Sequence, residues 1–435
     1  MRNYRQENRL ELLRIKNEKK RGSDKNTEPL TEAQQKRRNI IRLIAAAVAL
    51  VVASVSFATF AKQCTQKTPG LQTVSTDPDA DAMLYAAGIT FDYDFQGSSN
   101  EIRVQMNALR VAYSRTLAYI YKMLDPVNLY DEYTNLAYVN AHPGEEIKVP
   151  NELYWALSSA YELTQRGEAN VFGGVLFNEW KSITVLNDSA ESDPLLDEDE
   201  RERIAEIASM TADLNNFGLE LRDGNVIVFT VSEEYRAMME RLEIEAPVLD
   251  LGILREAYEI DYTASALEKS GYTRGFITTD SGMTRCLSES EGGYIVTYHP
   301  ANGVIADAYK VPMTPGRMCC TFRTYPYGED DIEYYTISVN GEERMRHPHY
   351  DLETGEVYDA LITVTVSAEN ADFAALCSKC YALVTAPTAE AAENELSQLD
   401  GFHAAFVTRA EPTVVIADKA FAELVPSVNM TLRTK

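Results

Sequence analysis

The sequence lacks the short motifs that identify many enzymes of nucleotide, ester and peptide chemistry. It contains no GxGxxG or Walker phosphate loop, no GxSxG nucleophile turn and no HExxH zinc site. Histidine is also scarce, with five in 435 residues: His142, His299, His347, His349 and His403. These absences weaken the usual hydrolase, dinucleotide-binding and zinc-protease interpretations.

Basic residues are outnumbered and unevenly placed. The chain has 41 Lys and Arg against 66 Asp and Glu, a net charge of −25. Residues 1–42 carry 13 of these bases against 6 acids, a net of +7, which leaves −32 for the rest of the chain. Because a strongly acidic surface repels phosphate backbones and anionic lipid, the composition argues against nucleic acid as a partner of the large C-terminal part.

A long apolar run follows the basic segment. Its only polar members between Leu43 and Ala61 are Ser54, Ser56 and Thr59. At about 1.5 Å per helical residue this run has roughly the length of the hydrocarbon core of a bilayer. Since lysine and arginine concentrate on the cytoplasmic side, we expect a single-pass cell-membrane protein with its main domain outside.

The expected organisation is a cytoplasmic tail (1–39), a transmembrane helix (40–61), a linker (62–80) and an exported domain (81–435). A cleaved secretory signal is the alternative, because signals also begin basic and turn apolar, although their apolar regions are shorter. Lipid attachment at Cys64 is disfavoured, because Lys62 and Gln63 stand where small or apolar residues normally precede a modified cysteine.

The exported part mixes helical and strand periodicities, which predicts an α+β fold rather than a regular parallel array. The predicted helices are 102–124, 151–165, 203–217, 232–242, 258–270, 370–384 and 389–399. The predicted strands are 226–231, 275–279, 294–299, 334–339, 360–367, 404–408 and 413–416. The acidic stretch 187–203 is interpreted as a solvated loop. Cys377 and Cys380 have redox spacing but lie in a helical pattern, which favours a buried pair without redox function.

Three segments carry groups that could act on a phosphorylated ligand. The first, Leu249–Asp261, is predicted to be a strand end that turns at Gly252 into a helix, whose first amides would be free to meet phosphate. The second, His347–Gly355, combines two histidines with a turn that by itself is typical of a structural loop. In the third, Ala371–Asp372, a carboxylate at the start of a helix could hold Mg²⁺ between protein and phosphates.

Together these segments resemble the FAD:protein FMN transferases, the ApbE-like flavin transferases. In that family the first segment reads LDLGGxAKGYxxD, the second HxxDPxTG and the third ADxxxT, with a Gly-Gly turn between the first two. The matching positions here are Leu249, Asp250, Leu251, Gly252, Tyr258, Asp261, Gly282, Asp351, Thr354, Gly355, Ala371 and Asp372. Weaker similarities at Tyr130–Asn140 and at Val171–Gly173 with Trp180 extend the resemblance over residues 81–425.

The chain departs from the family at positions that matter for chemistry. Glu256–Ala257 stands at the family's Lys-Gly, so an anion replaces a cation near the diphosphate, a change that weakens FAD binding. The other replaced positions are Ile253 for the second glycine, Leu352 for the proline, Leu376 for the threonine and Pro348 for the histidine.

The resemblance implies a Mg²⁺-dependent transfer of FMN from FAD to a threonine of an exported or membrane redox protein. It implies His349 or His347 with Asp351 as the proton-handling groups and Asp372 as the metal ligand. The residues implied to position FAD are Gly252, Tyr258, Asp261, Gly282, Thr354 and Gly355. The alternative is a catalytically degenerate domain on the same fold that binds a flavin or a protein, because of Glu256, Ile253 and Leu376.

Overall fold

The computed structural model describes residues 68–76, 88–186, 191–301, 304–328, 331–396, 399, 401–410, 413–416, 423–424 and 431–434. The predicted tail, the membrane helix and most of the linker lie outside these ranges, so they stay predictions. Within the described ranges no helix has the length and apolarity needed to cross a bilayer.

Helices of the described chain pack against the large sheet and against one another. They are α1 (Ser99–Leu124), α2 (Leu136–Ala141), α3 (Asn151–Gln165), α4 (Gly174–Lys181), α5 (Glu198–Ala212), α6 (Glu233–Arg241), α7 (Leu254–Lys269), α8 (Phe373–Val384) and α9 (Ala389–Leu396). A π-turn at Ser182–Leu186 and a 3₁₀ turn at Leu214–Asn216 extend the regions around α4 and α5.

The strands of the first half are β1 (Gly70–Thr73), β2 (Ile89–Phe95), β3 (Glu146–Lys148), β4 (Phe217–Arg222), β5 (Val226–Val231), β6 (Gly275–Thr279), β7 (Met283–Cys286), β8 (Gly293–Ala301) and β9 (Val304–Met313). The remaining strands are β10 (Arg317–Arg323), β11 (Tyr335–Val339), β12 (Glu342–Arg346), β13 (Leu361–Glu369), β14 (His403–Thr408), β15 (Thr413–Ile416), β16 (Glu423–Leu424) and β17 (Thr431–Thr434).

Nine strands form the main sheet, in the order β1-β2-β6-β7-β10-β13-β14-β15-β17. All neighbours in it are antiparallel except β15 and β17. Two three-stranded sheets, β16-β9-β8 and β3-β5-β4, and the hairpin β11-β12 complete the described strands. The predicted α+β class is confirmed.

The central strand β13 shows how the core is built. Eight of its nine residues are buried, because both faces of the sheet are covered there. Val364 and Val366 join the large core on the helical side. On the opposite face the Tyr309 hydroxyl lies 2.9 Å from Thr365 Oγ1 and 3.1 Å from the carbonyl oxygen of Ala405, which can only accept. The alternation of apolar and threonine residues therefore matches two different environments.

Two helices begin four or more residues earlier than their sequence patterns predict. Helix α5 starts at Glu198 because Asp197 caps it, accepting hydrogen bonds from the amides of Asp199 and Glu200. The acidic stretch 187–203 was interpreted as a solvated loop, but its second half forms the start of α5. Carboxylates are favoured in a first helical turn by the helix dipole. Helix α7 starts at Leu254, four residues before the predicted start.

Candidate functional site

The first segment enters α7 through an irregular loop, residues 248–253, and not through the predicted strand. The Asn140 side chain holds this loop, because its Nδ2 donates to the carbonyl of Leu249 at 2.8 Å and its Oδ1 accepts from the Leu249 amide at 2.9 Å. The Asp250 amide donates to the carbonyl of Val171 at 3.0 Å. The weakly matching segments at Asn140 and Val171 therefore contact the first segment directly.

Glycine is required where α4 meets the loop. A Cβ at Gly174 would lie 2.3 Å from the carbonyl oxygen of Pro247. The Gly174 amide donates to the carbonyl of Val248 at 3.1 Å. The backbones therefore touch without a side chain between them.

The amides at the start of α7 are already engaged within the chain. The Gly252 amide donates to Asp250 Oδ1 at 2.8 Å, the Leu254 amide to the carbonyl of Leu251 at 2.9 Å, and the Arg255 amide to that of Gly252 at 3.2 Å. The Asp250 side chain is buried, and this burial raises the pKa of its carboxyl, opposed by the Gly252 amide. The prediction of free amides ready for phosphate is therefore wrong at these three positions.

Glu256 extends from the first turn of α7 to the turn between β6 and β7. Its carboxylate accepts a hydrogen bond from the Ser281 hydroxyl, which lies 2.6 Å from the Thr279 hydroxyl. Gly282 follows with φ +102°, and a Cβ there would lie 1.9 Å from the carbonyl oxygen of Thr321. The close approach of Gly282 to Thr321 in β10 explains why a glycine is needed here. Through Ser281 the same turn holds the carboxylate of Glu256 in place.

The two histidines of the second segment are buried. His347 Nε2 lies 2.8 Å from the carbonyl of Tyr358, and its Nδ1 accepts from the His349 amide at 3.3 Å. The His349 ring packs against the rings of Phe322 and Tyr381, and its Nε2 has no hydrogen-bond partner. Burial lowers the pKa of His347 well below its usual value and that of His349 to about 3. Neither ring is placed to take a proton from an exposed hydroxyl.

Replacing His349 with phenylalanine is expected to make the domain less sensitive to acid. The folded protein keeps His349 neutral to about pH 3, whereas the unfolded chain binds a proton near the usual pKa of 6.5. Its contribution is therefore present above pH 6.5 and lost as the pH falls towards 3. From pH 7 to 5 this amounts to about 2 kcal/mol for one such histidine. Urea unfolding at the two pH values measures it.

The matched control is His142→Phe, because His142 is only half-buried, stacks on Tyr138 and has its Nδ1 2.8 Å from the carbonyl of Tyr138. It should leave the pH difference of the native domain unchanged. If His349→Phe lost as much free energy of unfolding as the native domain between pH 7 and 5, His349 would not be a buried neutral histidine.

Asp351 shapes the turn that ends the second segment. Its Oδ1 accepts from the amides of Glu353 at 3.0 Å and Thr354 at 2.8 Å, and from the Thr354 hydroxyl at 2.9 Å. The Gly355 carbonyl accepts from Trp180 Nε1 at 3.0 Å. These contacts give Asp351, Thr354 and Gly355 a structural explanation, and catalytic or FAD-positioning roles for them stay predictions.

Asp372 caps α8 and joins a chain of polar groups. Its Oδ1 accepts from the Ala374 amide at 2.9 Å, and its Oδ2 accepts from the Ser159 hydroxyl at 3.0 Å. The Tyr258 hydroxyl in turn donates to Ser159 Oγ at 3.0 Å. Two residues of separate segments are thus linked through a serine that the sequence patterns did not reveal.

The predicted magnesium ligand does not lie in a protein-built metal site. No group of three or more His, Cys, Asp or Glu in the described ranges could hold a metal ion. Both oxygens of Asp372 already accept hydrogen bonds, and the nearby Asp261 is paired with Arg285, 3.5 Å from its Oδ1. The described side chains therefore do not fit a resident Mg²⁺, and we derive no chemical step through one.

The first and second segments meet at a small cavity of about 30 Å³. Asp250, Gly252 and Leu254 line one side, and Tyr350 and Leu352 line another. A wider cavity of about 440 Å³ also includes Leu352, together with Tyr381 and Asp351 among its lining residues. Because Leu352 and Tyr381 line both cavities, the two adjoin each other, and we refer to them together as the cleft, with a narrow and a wide end. Of the site residues implied by the resemblance, Gly252 and Asp351 line the cleft. The others do not, namely His347, His349, Tyr258, Asp261, Gly282, Thr354, Gly355 and Asp372.

Tyr381 organises the junction of the two ends. Its hydroxyl donates to the carbonyl of Tyr350 at 2.7 Å and accepts from the Tyr350 amide at 3.1 Å. Sequence reasoning missed this residue, and also Ser159 and Ser281, because a single hydroxyl in a helix or turn carries no periodic or spacing signal.

The cysteines of the described chain are all buried and free, namely Cys286, Cys319, Cys320, Cys377 and Cys380. The Cys377 thiol donates to the carbonyl of Ile253 at 3.5 Å, and that of Cys380 to the carbonyl of Cys320 at 3.4 Å. The interpretation of Cys377 and Cys380 as a buried pair agrees with this packing.

Solved structures that this chain resembles are named ApbE. The flavin transferase ApbE from Vibrio cholerae matches with a TM-score of 0.55 and 13% identity, over 81% of this chain and 99% of that one. The ApbE protein from Thermotoga maritima matches with a TM-score of 0.52 and 16% identity, over 75% and 92%. The chain has an ApbE-like fold.

A third structure agrees with this assignment of the fold. The Pseudomonas stutzeri flavinyl transferase ApbE, in its apo form, gives a TM-score of 0.50 and 17% identity over 81% of this chain and 95% of that one. No family model and no curated protein sequence matches the chain. At identities this low the likeness establishes the ApbE-like fold, and activity has to be argued from the site.

Proposed function

We propose that this chain is a membrane-anchored, ApbE-like flavin-binding protein whose transfer chemistry has degenerated. The proposal rests mainly on the start of α7. There Glu256 stands where the ApbE-like family has a lysine, and three amides are already bonded inside the chain. A diphosphate gains little there, because these three amides are occupied and the cation of this turn, Arg255, is paired with Glu259. The buried, neutral His349 and the single, capped Asp372 are consistent with weak or absent catalysis.

The binding half of the proposal rests on the cleft. Its wide end has a volume within the range of small-molecule pockets, and Leu352, Leu383 and Pro387 give it an apolar lining for a flat ring. The anchor, which we place at residues 40–61, would hold the domain on the outer side of the cell membrane beside membrane-bound redox proteins. Tethering of this kind raises the effective concentration of a partner without new contacts.

A second candidate function is the full reaction, Mg²⁺-dependent transfer of FMN from FAD to a threonine of an exported or membrane redox protein. It is favoured by one observation, the chain from Asp372 through Ser159 to Tyr258, which links two of the three matching segments. In this function the magnesium would enter with the nucleotide, since the described residues form no site for it.

One experiment separates the two. The purified exported domain is incubated with FAD, Mg²⁺ and a threonine-acceptor redox protein, and the acceptor is examined by in-gel flavin fluorescence, with the Vibrio cholerae ApbE as positive control. Calorimetry with FAD, FMN and riboflavin is run in parallel. We expect flavin binding without labelling.

Labelling of the acceptor at a rate comparable to the positive control would refute the degenerate interpretation. Labelling that persisted in Asp372→Ala would also refute any metal role for Asp372. If the domain bound none of the three flavins, both candidate functions would be refuted.

A further inference from the structure

We propose that Cys320 and Cys380 form a disulfide when the domain folds in an oxidising compartment, which joins α8 covalently to the main sheet. Strand β10, which carries Cys320, lies in the middle of the nine-strand order. The inference goes beyond the proposed flavin binding and does not depend on which function the cleft performs. It follows from the positions of three thiols in the core.

Three cysteine side chains meet between β10 and α8. The thiol of Cys320 is hydrogen-bonded with those of Cys377 and Cys380. All three side chains are fully buried and belong to one hydrophobic core cluster. A disulfide needs two sulfurs that can reach each other without movement of the backbone, and thiols in mutual contact are the groups best placed for it.

The contacts of α8 favour Cys380 over Cys377 as the partner. The Cys380 sulfur lies 3.4 Å from the carbonyl oxygen of Cys320 itself and 3.7 Å from that of Val364, in the neighbouring strand β13. The Cys377 sulfur lies 3.5 Å from the carbonyl oxygen of Ile253, in the loop before α7. The Cys380 side chain is therefore directed at the strand that carries Cys320, whereas that of Cys377 is engaged by the loop.

A bond between Cys377 and Cys380 is disfavoured, although the two have redox spacing. Reactive cysteines with this spacing have a lowered thiol pKa, which a helix N-terminus supplies. Cys377 is already one turn inside α8, which begins at Phe373, and it is fully buried. We therefore infer a structural link between helix and strand, and not a redox motif within the helix.

The chemistry is thiol–disulfide exchange with a small exchangeable disulfide, such as oxidised glutathione. The thiolate of one cysteine attacks a sulfur of glutathione disulfide and expels one glutathione thiolate. The thiolate of the other cysteine then attacks the mixed disulfide and expels the second. Two protein thiols are oxidised to one disulfide, one glutathione disulfide is reduced to two thiols, and the two protons pass to glutathione.

The bond has to form during folding, because the finished core protects the thiols. Burial raises the pKa of Cys320 well above its usual value, and the neighbouring thiols of Cys377 and Cys380 raise it further. Only the thiolate reacts, and complete burial also keeps glutathione away from the sulfurs. The folded, reduced chain should therefore react slowly, and a bond once formed should resist reductants.

The proposed bond would fix one wall of the cleft. Tyr381 directly follows Cys380 in α8 and lines both ends of the cleft. The bond would also join residues that lie 60 positions apart in the chain. Closing a loop of this length restricts the unfolded chain, which stabilises the folded one.

The test is peptide mapping of the full chain in detergent. The reduced chain is unfolded in urea, refolded with reduced and oxidised glutathione, alkylated under denaturing conditions and digested with trypsin without reduction. Cleavage after Lys379 separates Cys377 from Cys380. We expect a linked peptide pair that joins Cys320 to Cys380. The folded, reduced chain in the same glutathione mixture should form about tenfold less of it in the same time.

The matched control is Cys319→Ala. Cys319 shares a tryptic peptide with Cys320, but its side chain packs in a different cluster with Cys286 and Met313. The linked pair should persist in this variant. If Cys320 and Cys380 were both alkylated after refolding, the inference would be overturned, and a bond from Cys377 to either of them would overturn the assigned pairing. Mapping of the native chain decides this without any variant.

A stability measurement tests the consequence of the bond. The urea midpoint of the oxidised chain should lie about 1 M above that of the reduced chain, from the restricted loop. In Cys380→Ala the two midpoints should coincide, whereas Cys319→Ala should keep the difference. Equal midpoints for the oxidised and reduced native chain would show that no bond constrains α8.

Discussion

Asp193→Ala is expected to lower the free energy of unfolding by about 3–5 kcal/mol, the cost of leaving a buried charge without its partner. Asp193 is fully buried, and its Oδ2 lies 2.7 Å from Arg346 Nε and accepts from the Tyr335 hydroxyl at 2.6 Å. Arg346 is 4% exposed and also donates to the carbonyl of Val357 at 3.0 Å. Urea unfolding followed by tryptophan fluorescence measures the loss, since Trp180 lies 5.6 Å from the guanidinium.

Asp197→Ala is the matched control, because Asp197 is an acid in the same segment that only caps α5. Its removal should cost about 1 kcal/mol. The double variant Asp193→Leu with Arg346→Met should recover much of the loss, because it removes both charges instead of stranding one. A cost for Asp193→Ala no larger than that for Asp197→Ala would show that the pair is not a buried ion pair.

The same pair connects folding with the candidate site. Arg346 is the last residue of β12 and immediately precedes His347, so the pair fixes where the second segment begins. If Asp193→Ala folds at all, the cleft side contributed by Tyr350 and Leu352 should become less ordered. Flavin affinity measured on this variant would then fall together with stability.

Sequence patterns predicted those parts of the fold that depend on local periodicity. Helix α3 and strands β5, β6 and β15 have the predicted ends, because each has a clean apolar period and its own stop signals. The start of α5 was missed by five residues, although Asp197 followed by acids is a capping signal that could have been used. The order and register of the nine strands in the main sheet depend on contacts between residues far apart in the chain, so no local sequence pattern predicts them.

The candidate site was predictable only in part, for the same physical reason. Gly252 and Gly282 have positive φ, and glycine tolerates this, so they could be picked out by residue type. The Ser159–Asp372 contact joins residues 213 apart in the chain, and the Asn140–Leu249 contacts join residues 109 apart. Such pairings follow from the tertiary fold, and they place Ser159 beside Asp372 and Asn140 beside the loop before α7.

Gly282→Ala is expected to be among the most damaging single-methyl additions in the domain. A Cβ there would lie 1.9 Å from the carbonyl oxygen of Thr321, and the residue has φ +102°. The Thr321 amide donates to the Gly282 carbonyl at 2.9 Å, so neither backbone can move without breaking the contact between β7 and β10. We expect a loss above about 3 kcal/mol, from overpacking together with backbone strain, measured as the shift in the urea midpoint at constant slope.

Gly252→Ala isolates the strain from the clash, because Gly252 also has positive φ, +51°, but no atom lies within 4 Å of the added Cβ. It should cost only about 1–2 kcal/mol, the penalty of a left-handed conformation for an L-residue. Gly282→Ala should additionally disturb the hydrogen bond from Ser281 to Glu256, because Ser281 directly precedes the residue that has to move. Equal losses for the two variants would mean that Gly282 and Thr321 do not approach as closely as described.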